Sequence, residues 1–458
     1  MIVKYRVVVF LIFVSVTLFA QNPVLDQYIK EGLSSNQSLK QKQMDYSKSL
    51  YAIKEARGYF FPDINLNARY TVADGGRTIE FPVGDLLNDV YSTLNILTQS
   101  QNFPSIENEE FDFYRPKEHE TKVSVKQPVF SSDILNRVEI TKAYSEIARV
   151  SIEKYKRSLI LEIKHAYYNY LKSFSLLNLA DSTLRLVNEN LRVSRSLYEN
   201  DLVTIDVVYR SEAEISKVEV EKAKAKSLYY RSMSFFNFLL NRPLNTEIER
   251  FFEKPEVLMY SLDVLQEEAA NSREEIDMLR ANLILNERKL AMQKGNYTPD
   301  IFGTVDYGFQ GEEYKFSEND DFVLASLVLR WNIFHGLSSK NKTKQIRIES
   351  ERIDLQLSEA QQKIKLEVLN KYYELAAAYQ AVEAEKKNLE ASRHVFRIIK
   401  RKYEENQATL LEYIDARTVF TNARSSLIIA RTDYFLQKAS FEYAAAMEDF
   451  SVYLKSEE

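Results

Sequence analysis

Residues 58–72 read Gly58-Tyr-Phe-Phe-Pro62-Asp63-Ile64-Asn-Leu66-Asn-Ala68-Arg-Tyr70-Thr-Val72, and residues 295–309 read Gly295-Asn-Tyr-Thr-Pro299-Asp300-Ile301-Phe-Gly303-Thr-Val305-Asp-Tyr307-Gly-Phe309. Each has a glycine followed four residues later by Pro-Asp-Ile, and the two sit 237 positions apart. Glycine and proline punctuate secondary structure strongly, so each stretch predicts the stop of a helix followed by a strand. Period-two alternation supports this: Ile64, Leu66, Ala68, Tyr70 and Val72 share one face, as do Ile301, Gly303, Val305, Tyr307 and Phe309. A second strand follows in each half. One carries Val123 and Val125 between Lys122, Ser124 and Lys126. The other alternates Val323, Ala325, Leu327, Leu329 and Trp331 with a less polar set that includes Leu324 and Val328.

Working outward, the halves continue to match, as an internal repeat does. Lys126 to Phe130 aligns with Arg330 to Phe334 at an offset of 204. Leu161-Glu162 with Tyr167-Tyr168 aligns with Leu366-Glu367 and Tyr372-Tyr373 at 205, as does Tyr198-Glu199 with Tyr403-Glu404. The change in offset is a long loop in the first copy, about Asp74 to Glu120. No glycine or proline occurs from Val129 to Arg242, nor from Leu337 to Glu458. Long helices are therefore predicted over Ser131 to about Asn200 and Gly336 to about Glu405, roughly 105 Å each at 1.5 Å per residue. Ile364, Val368, Tyr372, Leu375, Tyr379, Val382 and Leu389 recur at three- and four-residue steps, as coiled-coil-like packing requires. Shorter helices are expected over about Pro23 to Arg57 and Ile205 to Asn241. The domain reading is thus residues 1–20 as export signal, 21–242 as the first repeat, 243–272 as a connector and 273–458 as the second repeat.

Composition agrees. Ten glycines and nine prolines in 458 residues are about 4%, against roughly 12% in average usage, so few breaks are expected. Zero cysteines exclude a disulfide framework and thiolate metal sites. A formal charge of −5 argues against general nucleic-acid binding. Lys4 and Arg6 precede the apolar run Val7 to Phe19, which is too short to span a bilayer and has the pattern of a secretory signal.

Four strands of about ten residues cannot close a membrane barrel, since the smallest need eight. Ten residues is nevertheless enough for a tilted strand to cross hydrocarbon. Three chains would supply twelve strands and leave no edges. Tyr59, Phe61, Phe130, Tyr297, Trp331 and Phe334, at the strand ends, would then form an interfacial girdle. The fold class expected is mainly α, a long coiled-coil-like helical barrel, with four strands per protomer completing a twelve-stranded barrel in a homotrimer.

The repeated helix, strand pair and long helix, the Gly-x-x-x-Pro-Asp-Ile lead-ins and the paired Tyr-Glu-x-(Asp/Asn)-x-x-Thr turns resemble the TolC-type outer-membrane efflux proteins, over essentially the whole mature chain. The stretch Ile79 to Asn95 is similar to the first external loop of Bacteroidetes-type members. The resemblance implies a homotrimer in outer-membrane lipid with its helical part in the periplasm. It implies an exit duct for tripartite efflux or type I secretion, with a periplasmic adaptor protein and an inner-membrane pump as partners.

The turns after the long helices are Asp201-Leu202-Val203-Thr204 and Asn406-Gln407-Ala408-Thr409. Asp and Asn tolerate left-handed backbone and Thr caps helices well, so both read as tight hairpin tips without glycine. By resemblance these tips face the adaptor. Glu412 and Asp415, three apart on one helix face, match the family's acidic ring at the periplasmic entrance. Tyr403 stands at the family's gate tyrosine, and a Tyr403–Asp206 hydrogen bond is the expected gate contact. Ala408 replaces an arginine that the gate can carry. No catalytic, cofactor or metal site is predicted. The four histidines are scattered, no phosphate loop or nucleophile elbow occurs, and Glu212 and Glu214 read as parts of charge-mixed solvated faces. A soluble periplasmic coiled-coil adaptor is the competing reading, although such a protein would carry one hairpin rather than two equivalent ones.

Overall fold

Extended backbone begins at Asp63 and at Asp300, where both lead-ins place it. The computed structural model describes residues 22–257 and 260–447, so the expected export signal and the last residues of the second repeat lie outside it. In chain order the first half holds α1 (Pro23–Ser35), α2 (Gln37–Gly58), β1 (Asp63–Val72), β2 (Thr78–Phe81), α3 (Val83–Thr98), β3 (Glu109–Asp112), β4 (Lys117–Phe130), α4 (Ser132–Glu199) and α5 (Ile205–Leu239). The second holds α6 (Leu262–Ser272), α7 (Glu274–Gly295), β5 (Asp300–Gly311), β6 (Asp321–Arg330), α8 (Ser338–Glu404) and α9 (Leu410–Ala444). Chain contacts divide these into two units. One contains the residues up to Lys48, Ser145–Leu283 and those from Glu351; the other contains Ser49–Tyr144 and Ile284–Ser350.

The second unit is built on an antiparallel sheet of order β1-β4-β5-β6. Its register pairs apolar with apolar residues: Leu66 opposes Val123, which opposes Tyr307, which opposes Val323. Gly308 permits the close approach of β5 to β4, because a Cβ there would lie 2.4 Å from the Thr121 carbonyl oxygen. Residues 74–120, expected as one long loop, instead carry local structure. β2 and β3 form a two-stranded ribbon, α3 lies between them in the chain, and β4 already begins at Lys117.

α4 and α8 have 68 and 67 residues, about 100 Å each. The expected single helix from Pro23 to Arg57 is broken at Asn36, whose backbone is extended. Its side chain is the reason: Oδ1 accepts from the Leu39 N–H, capping α2, while Nδ2 donates to the Leu239 carbonyl. The same break recurs 237 residues later at Arg273, between α6 and α7, so α6 within the expected connector is the counterpart of α1.

The core of the first unit is aromatic and aliphatic. Tyr167, Phe236, Ile29, Ile160 and Ile163 are fully buried, Tyr28 meets Phe236 edge to face, and Phe435 stacks on Tyr168. A buried Arg157–Glu274 pair, bidentate at 2.8 and 2.9 Å, joins α4 to α7.

Candidate functional site: an open sheet and two hairpin tips

The sheet separates two chemistries. One face presents Ile64, Leu66, Val123, Val305, Tyr307, Val323 and Leu327, all exposed. The other presents Asn65, Asn67, Ser124 and Thr304, with Arg69, Glu120, Lys122 and Asp306 in an ionic ladder at 2.9–3.4 Å. Leu324 and Val328 make this second face less polar at β6, as the sequence alternation predicts. β1 and β6 are the outer strands, and neither has a partner on its far side among the described residues. The strand-end aromatics Tyr59, Phe61, Phe130, Tyr297, Trp331 and Phe334 are exposed and gather at the sheet end where α2, α4, α7 and α8 join the strands. The Trp331 indole donates to the Tyr297 carbonyl across that end. No helix among the described residues is long and apolar enough to cross a membrane.

In the other unit, both hairpin tips turn through a left-handed residue, Asp201 at φ 58° and Asn406 at φ 54°. Beyond Asn406, Thr409 caps α9 in a full capping box. The Thr409 N–H donates to the Glu412 carboxylate at 2.7 Å, and the Glu412 N–H donates to the Thr409 hydroxyl. Those bonds hold the Glu412 carboxyl below the usual carboxylate range. Thr204 makes no such cap, because its hydroxyl donates to Asp206, which also pairs with Arg210. Leu202, Asn406, Gln407 and Asp415 are exposed, whereas Val203 and Ala408 pack against the hydrophobic cluster beneath the tips.

Tyr403 is drawn into that cluster with Leu197, Phe396, Leu410 and Tyr413. Its hydroxyl is hydrogen-bonded to Ser194 at 2.9 Å. Ser194 is in turn bonded to Ser211, and Ser211 accepts from Asn190. The expected Tyr403–Asp206 bond is therefore not the contact made within the chain. Asp206 sits in the first turn of α5 and is satisfied by Thr204 and Arg210, while the buried ring of Tyr403 directs its hydroxyl at α4.

Residues 265–442 match the family described as Outer membrane efflux protein. The chain is 19% identical over 447 residues to Outer membrane protein TolC of Salmonella enteritidis, covering 92% of this chain and 81% of that one. Its fold is similar to the outer membrane channel CmeC of Campylobacter jejuni (TM-score 0.73, 13% identity, 94% of this chain and 89% of that one). It is likewise similar to the open-state outer membrane channel MtrE of Neisseria gonorrhoeae (TM-score 0.70, 16% identity, 92% and 89%). Over nearly its whole length the chain is similar to TolC-type outer-membrane efflux proteins, and its second half matches their family. Its mainly helical fold with a small sheet is the one these channels share.

One link between the two hairpins is not predicted by the sequence pattern. Glu214 does not lie on a solvated face. It is buried against Arg417 of α9 at 2.8 Å, with Lys217 on its other oxygen. Burial pushes the Glu214 carboxyl up, but Lys217 and Arg417 outweigh that and hold it below its ordinary value. The available signal was Arg417 itself, a charge set directly after Tyr413 and Ala416 on the buried stripe of α9. Glu212, by contrast, is exposed and reaches Arg195.

Proposed function

We propose that three copies of this chain close their four-stranded sheets into one twelve-stranded barrel and form the exit duct of a tripartite efflux or type I secretion machine. The observation that carries this reading is the sheet itself, with two unpaired edges and one continuous exposed apolar face. In water those edges are an aggregation hazard, and in hydrocarbon every unpaired N–H and C=O costs several kcal/mol. Pairing β6 of each copy with β1 of the next removes all edges and turns the apolar face to lipid and the polar one inward. The aromatic girdle then lies at the interface nearest the helices.

On this reading the tips around Asp201 and Asn406 meet a periplasmic adaptor, and an inner-membrane pump supplies the substrate. Glu412 and Asp415 become six carboxylates around one axis, favouring cations at the entrance. Both carboxylates are on exposed positions of α9, which supports the assignment.

The test is the mass of detergent-solubilised protein by light scattering, followed by planar-bilayer conductance. Trimers that conduct are expected. A stable monomer recovered without detergent, and with no pore activity, overturns the reading. Glu412→Gln with Asp415→Asn is expected to lower cation over anion selectivity without changing trimer yield; unchanged selectivity removes the acidic ring.

A further inference from the structure

The module between β1 and β4 shows a surface that the duct reading leaves unused. α3 is anchored on one side only. Asn88 and Asn95, seven apart, each clamp the segment 103–106 twice: Asn88 bonds both backbone groups of Ile106 and Asn95 both of Phe103, and Tyr91 packs on the Phe103 ring. The adjoining face carries Leu86, Leu87, Val90, Leu94 and Leu97, with Leu86 65% and Leu97 73% exposed. Val83, Leu87, Val90, Leu94 and Leu97 follow the alternating four- and three-residue spacing of a coiled-coil seam, and no charge falls on it. α3 is 16 residues, about 24 Å, too short to hold a seam by itself.

What covers this face follows from charge and from the barrel. Residues 73–116 hold eight acidic side chains against two arginines, and α3 has no basic residue. A helix that lies on a lipid surface is rich in Lys and Arg on its polar face, which this one is not. The module hangs from Val72, the last residue of an edge strand that must pair with the next copy. Twelve strands at about 4.8 Å spacing and about 40° tilt give a barrel radius of roughly 12 Å. Three α3 helices are thereby tethered at points within about one helix width of the axis, at high effective concentration. Helix axes 8–10 Å apart fit within that radius.

We infer that the α3 helices of three copies pack stripe to stripe over the threefold axis and make a lid, from this chain's own residues, across the outer mouth of the duct. The inference rests on the trimer proposed above. The chain has no cysteine, so single cysteines report cleanly. In purified detergent-solubilised protein treated with copper phenanthroline, Val90→Cys and Leu97→Cys are expected to give disulfide-linked dimers in up to about two thirds of chains, the limit for three cysteines around one axis. Ser92→Cys, on the far side of α3, is expected to give none. Val90→Asp trimers are expected to conduct more than wild type, and Ser92→Asp trimers equally. The lid is overturned if trimers form but neither stripe cysteine cross-links while both label with maleimide as fast as Ser92→Cys. It is also overturned if a bimane at Val90→Cys is quenched by nitroxide lipid, which would assign the face to the membrane. Absence of trimers by light scattering removes the duct reading and the lid with it, a result distinct from either of these.

Discussion

Tyr198 and Tyr403 occupy matching places in the two hairpins, each six residues before the threonine that precedes the returning helix. Tyr198 is 42% exposed and Tyr403 is 3% exposed. The threonines match as well, yet Thr409 closes a capping box with Glu412 while Thr204 is diverted to Asp206. Backbone geometry is common to both tips, down to the left-handed residue, because it depends on local residue types. Side-chain partners differ because each hairpin meets a different neighbour. The second hairpin thus carries the buried polar contacts, and the first supplies their partners through Ser194, Ser211 and Glu214.

The largest way to break this arrangement is at Glu214. Removing it strands Arg417 in the interior, where its Nε already lacks a partner among the described residues. Breaking a buried pair from one side costs about 3 kcal/mol or more. Glu214→Ala is therefore expected to lower the denaturation midpoint of the purified protein strongly. Arg417→Ala should cost less, because Lys217 still reaches the remaining carboxylate. The pair also sets a pH dependence. With the folded carboxyl held below its ordinary value, its contribution is complete at neutral pH and is lost only as pH falls through the usual carboxylate range, about 4, and below. A wild-type midpoint that falls in acid no faster than that of Glu214→Gln would remove this link.

Next in size is the cap. Thr409→Ala removes the N-cap of α9 and is expected to cost about 1 kcal/mol, read from the chemical denaturation midpoint. Thr204→Ala should cost only a few tenths, since no backbone N–H depends on that hydroxyl. Equal effects would mean that the two tips are capped alike.

Much of this was legible in the sequence. The strand starts follow from Pro62-Asp63 and Pro299-Asp300, and the long helices from the absence of breakers, because such signals are local. The break at Asn36 was not legible. No glycine or proline sits there, and the residue that ends α1 does so by bonding the Leu239 carbonyl, 203 positions away. The α3 module was hidden for another reason: strands of four residues and one 16-residue helix give too short a pattern to separate from a polar loop. At the candidate site, the left-handed turns at Asp201 and Asn406 were readable from residue type, while the partner of Tyr403 lies 209 residues away and only the packing of α4 against α8 brings it near.

The smallest effect is also the most direct test of the tyrosine pair. Tyr403→Phe keeps the buried ring against Tyr413 and removes only the hydroxyl. Ser194 retains Ser211 as a partner, so no buried group is orphaned and the cost should be about 0.5–1 kcal/mol. Tyr198→Phe, at an exposed site, should be neutral. A cycle of Tyr403→Phe with Ser194→Ala separates this hydrogen bond from packing, since the double variant should lose less than the sum of the singles. Channel recordings of the same variants then ask whether the bond holds the proposed duct shut at the hairpin tips: open probability should rise for Tyr403→Phe and for Ser194→Ala, not for Tyr198→Phe. A rise for Tyr198→Phe alone would move the gate to the first hairpin and reverse the asymmetry that the buried contacts imply.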